Sequence, residues 1–102
     1  MEEQFTMLDA KSVKAKTKEV VLSLLTDASK KYLEYILSTI DKASSKGEVE
    51  VFISVDNNQL SREQQMYIWR FLLISNFKVS YHTIWTDIGE TLDFNTWKIC
   101  WI

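Results

Sequence analysis

The spacing of apolar residues changes period several times along this chain, and each change marks an element. Between Asp9 and Ser45 no proline or glycine intervenes, and apolar residues recur at Val21, Leu25, Ala28, Tyr32, Ile36, Ile40 and Ala43. Steps of three and four predict helix, with Leu22, Leu33 and Leu37 widening the stripe. Asp9 suits an N-cap, and Thr26 with Asp27 suits the start of a second helix. The segment is therefore one long helix or two with a break near Asp27. Unbroken, about 37 residues would run about 55 Å, whereas a compact domain of this size has a radius of gyration near 13 Å. Either the helix breaks or its first half projects towards another chain.

Gly47 follows Lys42 and Lys46, where a left-handed residue ends a helix. Glu48 to Val55 then alternates with period two, which predicts a strand with Val49, Val51, Ile53 and Val55 inward and Phe52 outward. The run "DNNQ" is turn chemistry. Ser61 with Gln64 three residues on is a capping-box signature, opening a helix to about Ser75. Its buried face is expected to hold Ile68, Trp69, Leu72 and Leu73, with Met66 beside them, and Asn76 suits its left-handed terminator.

Phe77–Trp85 and Leu92–Ile102 read as two strands of a hairpin. Phe77, Val79, Tyr81 and Trp85 share one face of the first, and Trp97, Ile99 and Trp101 share one face of the second. These faces coincide if odd positions pair with odd, which a three-residue loop Asp87-Ile88-Gly89 with glycine left-handed would supply. The expected fold is α+β in the order α-β-α-β-β: a long N-terminal helix, broken or not near Asp27, and one further helix on a three-stranded sheet. It forms a single domain, 1–102, with residues 1–26 as a candidate projecting arm, and the β-α-β portion should cross over right-handed.

Composition narrows the function more by exclusion than by pointing. The 102 residues are 46% hydrophobic and 13% aromatic with net charge −2, which suits one folded core and gives no general attraction for nucleic acid. From Glu48 onward seven acids face four bases, so the terminal tryptophans lack the basic surroundings of a base-stacking platform. One cysteine, Cys100, has no internal disulfide partner, and one histidine, His82, does not make a zinc site. Pairing His82 near Phe94 sets it about 20 Å from Cys100 along the strand, too far for a nucleophile–base couple. Asp87, Glu90 and Asp93 cluster at the hairpin loop without the spacing of a calcium loop, and no glycine-rich loop cradles phosphate. No enzyme, cofactor or metal site is expected. The opening "MEEQFTMLDAKS" has no signal-peptide character, and no apolar run approaches the roughly 20 residues that span a bilayer. The expected setting is a reducing cytosol.

Two features remain. Lys11, Lys14 and Lys18 share a helical face near the positive end of the dipole, either as a solvated face or as contacts for an anion or an acidic partner. In the odd-with-odd register Phe52, Ile84, Leu92, Phe94 and Ile102 point away from the helices, as a protein interface or as a face covered by half of a broken N-terminal helix.

The segments "LDAKSVKAKTKEV", "TIDKASSKGEVEVFI", "FLLISNFKVS" and "WKICWI" together resemble small proteins of tailed phages and prophages of largely unassigned function. Those run helix, glycine, strand, helix and hairpin, ending in Ile-x-Trp. The pattern covers nearly the whole chain as residue types; Asn76 stands where the family usually has glycine, and no catalytic residues come with it. The resemblance implies a phage-type protein that binds other chains, as a homo-oligomer or an accessory component of a virion, located in the host cytoplasm or the particle. The alternative is a counter-defence protein that binds a host factor or sequesters a nucleotide signal, for which Lys11, Lys14, Lys18, His82 and Trp85 would have to converge across a subunit interface.

Overall fold

The computed structural model describes residues 9–55 and 59–102. The elements are α1 (Ala10–Leu24), α2 (Asp27–Ser45), β1 (Glu50–Ser54), α3 (Arg62–Ile74), β2 (Lys78–Thr86) and β3 (Gly89–Cys100). This is the expected α+β order with the N-terminal helix broken. Of the turn read at Asp56–Gln59, only Gln59 lies among the described residues.

The break is chemical. Leu25 leaves the helix in extended conformation, and the Thr26 hydroxyl caps α2 by accepting from the Ser29 N–H at 3.2 Å. Past the break the buried side continues at Ser29 and Leu33, and Ala28, expected inward, is exposed. The side chain of Gln64 bridges the break: its Oε1 accepts from Thr26 N–H at 3.0 Å and its Nε2 donates to Leu24 C=O at 3.1 Å. Ser61 does cap α3 by accepting from Gln64 N–H, but the Gln64 side chain turns to the α1–α2 junction instead of closing a capping box.

The stops of α2 and α3 are of the Schellman type. Gly47 has φ +82° with Glu48 N–H bonded to Ala43 C=O at 3.0 Å, and Asn76 has φ +71° with Phe77 N–H bonded to Leu72 C=O at 3.0 Å. Asn tolerates this conformation better than most residues other than glycine.

The sheet order is β1-β3-β2, all neighbours antiparallel, so β1 and β2 run parallel with β3 between them. The core gathers Val21, Leu25, Leu33, Ile36 and Ile40 from α1 and α2, Ile68, Phe71 and Leu72 from α3, and Ile53, Trp97 and Ile99 from the sheet. Trp97 and Ile99 are 2% and 0% exposed, so the inward assignment of these two residues holds. Two expectations for α3 and one for β1 need correction. Phe71 is buried while Leu73 and Met66 are exposed, because α1 lies against the Phe71 side; Val49 precedes β1 and is exposed.

Helix α1 runs antiparallel to α3, with the Lys18 ammonium 4.9 Å from the Phe71 ring centroid and Lys14 Nζ 3.5 Å from Asn76 Oδ1. Of the candidate arm, Val21 and Leu25 enter the core, Ala10 to Thr17 are exposed at every position, and residues 1–8 lie outside the described residues.

The hairpin has two registers. Lys78 to Tyr81 pair with Cys100 to Trp97, odd with odd as expected. From His82↔Asp93 to Thr86↔Gly89, however, odd pairs with even, and the connection is the two residues Asp87-Ile88. Gly89 does take positive φ, +112°, just after them. The registers are reconciled by a bulge: Tyr81 and His82 are consecutive, while Phe94, Asn95 and Thr96 lie between their partners Trp97 and Asp93. Asp93 folds the bulge over itself, accepting from Asn95 N–H at 3.0 Å and from the Thr96 hydroxyl at 2.8 Å. Asn95 C=O in turn accepts from Val55 N–H, extending the β1 edge by one bond.

Candidate functional site

The bulge determines which side chains meet. Along β3 a shift of pairing inverts facing, and here it turns Phe94 to the helix side, with its ring 5.0 Å from that of Tyr81. Leu92, two residues earlier and opposite Thr83, shares that side. Phe94 and Leu92 were both expected on the outer face, and both are on the inner one. Phe52 and Ile84 are outward as expected, and Ile102 lies beyond the end of β3, exposed.

On the inner side, the Tyr81 ring lies 5.1 Å from that of Trp69, tilted by 48°, and Trp69 meets Trp97 edge-on at 5.1 Å. Tyr81, Phe94 and Trp97 form one wall of an open groove of about 430 Å³, and α3, Trp69 included, forms the other. The residues α3 contributes, Arg62, Gln65, Met66, Trp69, Arg70 and Leu73, fall at i, i+3, i+4, i+7, i+8 and i+11, one helical stripe. Within this stripe Met66 and Leu73 are exposed, whereas Gln65 is buried and Trp69 is half-buried. Arg62 and Arg70 border the groove and make no ion pair or hydrogen bond among the described residues. The indole N–H of buried Trp97 has no hydrogen-bond acceptor among them either.

Beyond the bulge the hairpin continues as two strands alone, past the end of β1. Its inner side carries Trp85 and Leu92, and its tip carries Ile88; Trp85 is 81% and Ile88 94% exposed. An apolar surface thus leads from the groove to the tip, with Asp87 and Glu90 at its far end.

The other candidate residues are dispersed. Lys18 lies over Phe71 of α3 and Lys14 reaches Asn76 just beyond that helix, whereas Lys11 is exposed. His82 lies on the outer face with its ring 4.9 Å from Phe52, so within one chain it does not meet the lysines. Cys100 is on the same face, opposite Lys78, which is four residues from His82 on β2. At strand rise that is about 13 Å; the bulge shortens the separation expected from β3 alone, yet the two side chains remain out of reach. Lys98 and Glu50 pair there at 3.3 Å.

Titration is perturbed at three places. Asn95 N–H and then the Thr96 hydroxyl hold the Asp93 carboxyl below the usual carboxylate range, and Ser12 N–H does the same for Asp9. The Tyr67 phenol is raised because its hydroxyl donates to Glu63. All three are structural contacts outside the groove. Among the described residues no three His, Cys, Asp or Glu side chains gather to hold a metal, and no helix is long and apolar enough to cross a membrane.

Sequence reasoning missed the groove because it placed Phe94 outward and Leu73 and Met66 inward. A signal existed in "DFNT", where Asp, Asn and Thr within four residues are side chains that bond local backbone and interrupt a ladder. Comparison with known proteins finds no matching family model, no matching curated protein and no matching solved structure.

Proposed function

We propose that the protein is a non-enzymatic protein–protein interaction protein that self-associates, of the phage type its sequence resembles, acting as an accessory or assembling component of a virion. The observation that carries this reading is the apolar surface running from the groove to the hairpin tip. Met66, Leu73, Phe94, Leu92, Trp85 and Ile88 are all exposed. Scattered exposed apolar residues are ordinary, but a connected series of this size marks a contact surface. The projecting hairpin makes the same case, since two strands without a covering layer are marginal alone and gain by packing on a partner.

Molar mass by light scattering, from micromolar to near-millimolar protein, tests the reading. Mass rising to an integral multiple of the chain is expected, with a Trp85→Ser, Leu92→Ser variant shifted towards monomer. A strict monomer across that range would remove self-association. Sedimentation with purified particles of a phage carrying the gene tests the virion part, and a protein recovered wholly outside the particles would contradict it.

A further inference from the structure

The groove and the hairpin tip of one chain have complementary chemistry. The groove is aromatic and apolar, bordered by the guanidinium groups of Arg62 and Arg70. The tip presents Ile88, nearly fully exposed, next to Asp87, with Glu90 two residues further on and opposite Trp85 on the inner side, an apolar anchor accompanied by two carboxylates. A chain does not satisfy this match by itself. Its tip lies five residues beyond Asp93, about 17 Å along a paired strand, and the hairpin points away from the groove at its base.

Building on the self-association proposed above, we infer that the hairpin tip of a second copy occupies the groove, with Ile88 among the aromatic rings and Asp87 and Glu90 facing Arg62 and Arg70. The contact is reciprocal. Tip and groove are separated by the same stretch of hairpin in both copies, so two hairpins laid antiparallel on their inner sides seat each tip in the other's groove. That is a closed two-fold arrangement in which the same surface serves both chains. Trp85 and Leu92, between tip and groove on the same side, then meet their counterparts near the axis and lose their exposure. Apolar contact supplies the affinity and the rim charges fix the register.

Charge exchange tests this arrangement because all four charged side chains are exposed and their replacement leaves the fold intact, as circular dichroism would verify. A chain with Arg62→Glu and Arg70→Glu has an acidic groove and an acidic tip. One with Asp87→Lys and Glu90→Lys has a basic groove and a basic tip. Each alone should dimerise at least about tenfold more weakly than the original, since four rim pairs turn from attraction to repulsion. Mixed in equal amounts they should recover dimers, and a chain with all four replacements should dimerise by itself. The wild-type dimer should also weaken as salt rises.

Dimers that survive both double replacements would overturn tip-in-groove docking while leaving self-association standing. Survival combined with loss on removal of residues 1–8 would assign the groove to that segment instead. Failure of the mixture to dimerise would also overturn it. A wild-type chain that stays monomeric at its highest concentration would remove both this inference and the function on which it rests.

Discussion

The two halves of the C-terminal hairpin are made of similar residues and end in opposite environments. In the base half Trp97 and Ile99 are 2% and 0% exposed beneath α3; in the tip half Trp85 and Ile88 are 81% and 94% exposed. Aromatic and β-branched residues are frequent in both. The difference lies in what stands opposite: β1 and the helices flank the base, while the tip outruns them. Burial thus follows the tertiary layer a strand crosses as well as its own pattern. The bulge between the halves lets one strand serve both roles, since it moves Phe94 and Leu92 to the side where the groove opens.

The largest test of this contrast is a pair of tryptophan truncations followed by chemical unfolding. Trp97→Ala should cost about 3–5 kcal/mol, the range for emptying a large core site. Trp85→Ala should stay within about 0.5 kcal/mol in dilute, monomeric protein while weakening self-association. Equal losses at the two positions would erase the distinction.

A second experiment removes the boundary. Deleting Phe94, Asn95 and Thr96 places Trp97 next to Asp93 and leaves the facing of both halves unchanged. The chain should still fold, yet the N–H of buried Val55 loses its acceptor on Asn95, a loss of about 1–3 kcal/mol. The groove loses Phe94, so dimerisation should fall further than stability does.

The pH dependence sharpens the same point. Asp93 has a depressed carboxyl in the folded chain, so its contribution is complete above the ordinary carboxylate value of about 3.9. It is lost as pH falls through the lower folded value. Amide exchange at Asn95 should therefore rise relative to the rest of β3 as pH drops below about 4, after correction for intrinsic rates, and Asp93→Asn should flatten that change. The smallest effect is expected at the entry to the base half. Asn76→Gly should raise stability by a few tenths of a kcal/mol, because glycine takes the left-handed conformation without strain.

Much of the fold was legible because it rests on local chemistry. Asp9, Thr26 and Ser61 cap helices, Gly47 and Asn76 end them, and the inward β-branched Val51 and Ile53 make a strand. The Thr26 cap marked where a break near Asp27 could fall, but not whether the helix breaks there, which the packing of α1 on α3 and the Gln64 bridge decide. What escaped were features decided at a distance. Gln64 spends its side chain on Thr26 and Leu24, forty residues away in the second case, which no spacing within α3 discloses. Phe71 is buried and Leu73 exposed because α1 packs on one side of α3, and the apolar stripe there is wide enough to allow either choice. The candidate site suffered most, since a register argument that fits the base half fails beyond an unrecognised bulge.

The side on which Phe94 stands carries the rest: the groove, the inner face of the tip and the docking arrangement all depend on it. Nuclear Overhauser contacts of the Phe94 ring measure this directly in dilute solution. Cross-peaks to the Tyr81 ring, whose centroid lies 5.0 Å away, with none to Phe52 or His82, are the predicted result. Cross-peaks to Phe52 and His82 in their place would put Phe94 on the outer face and contradict the account.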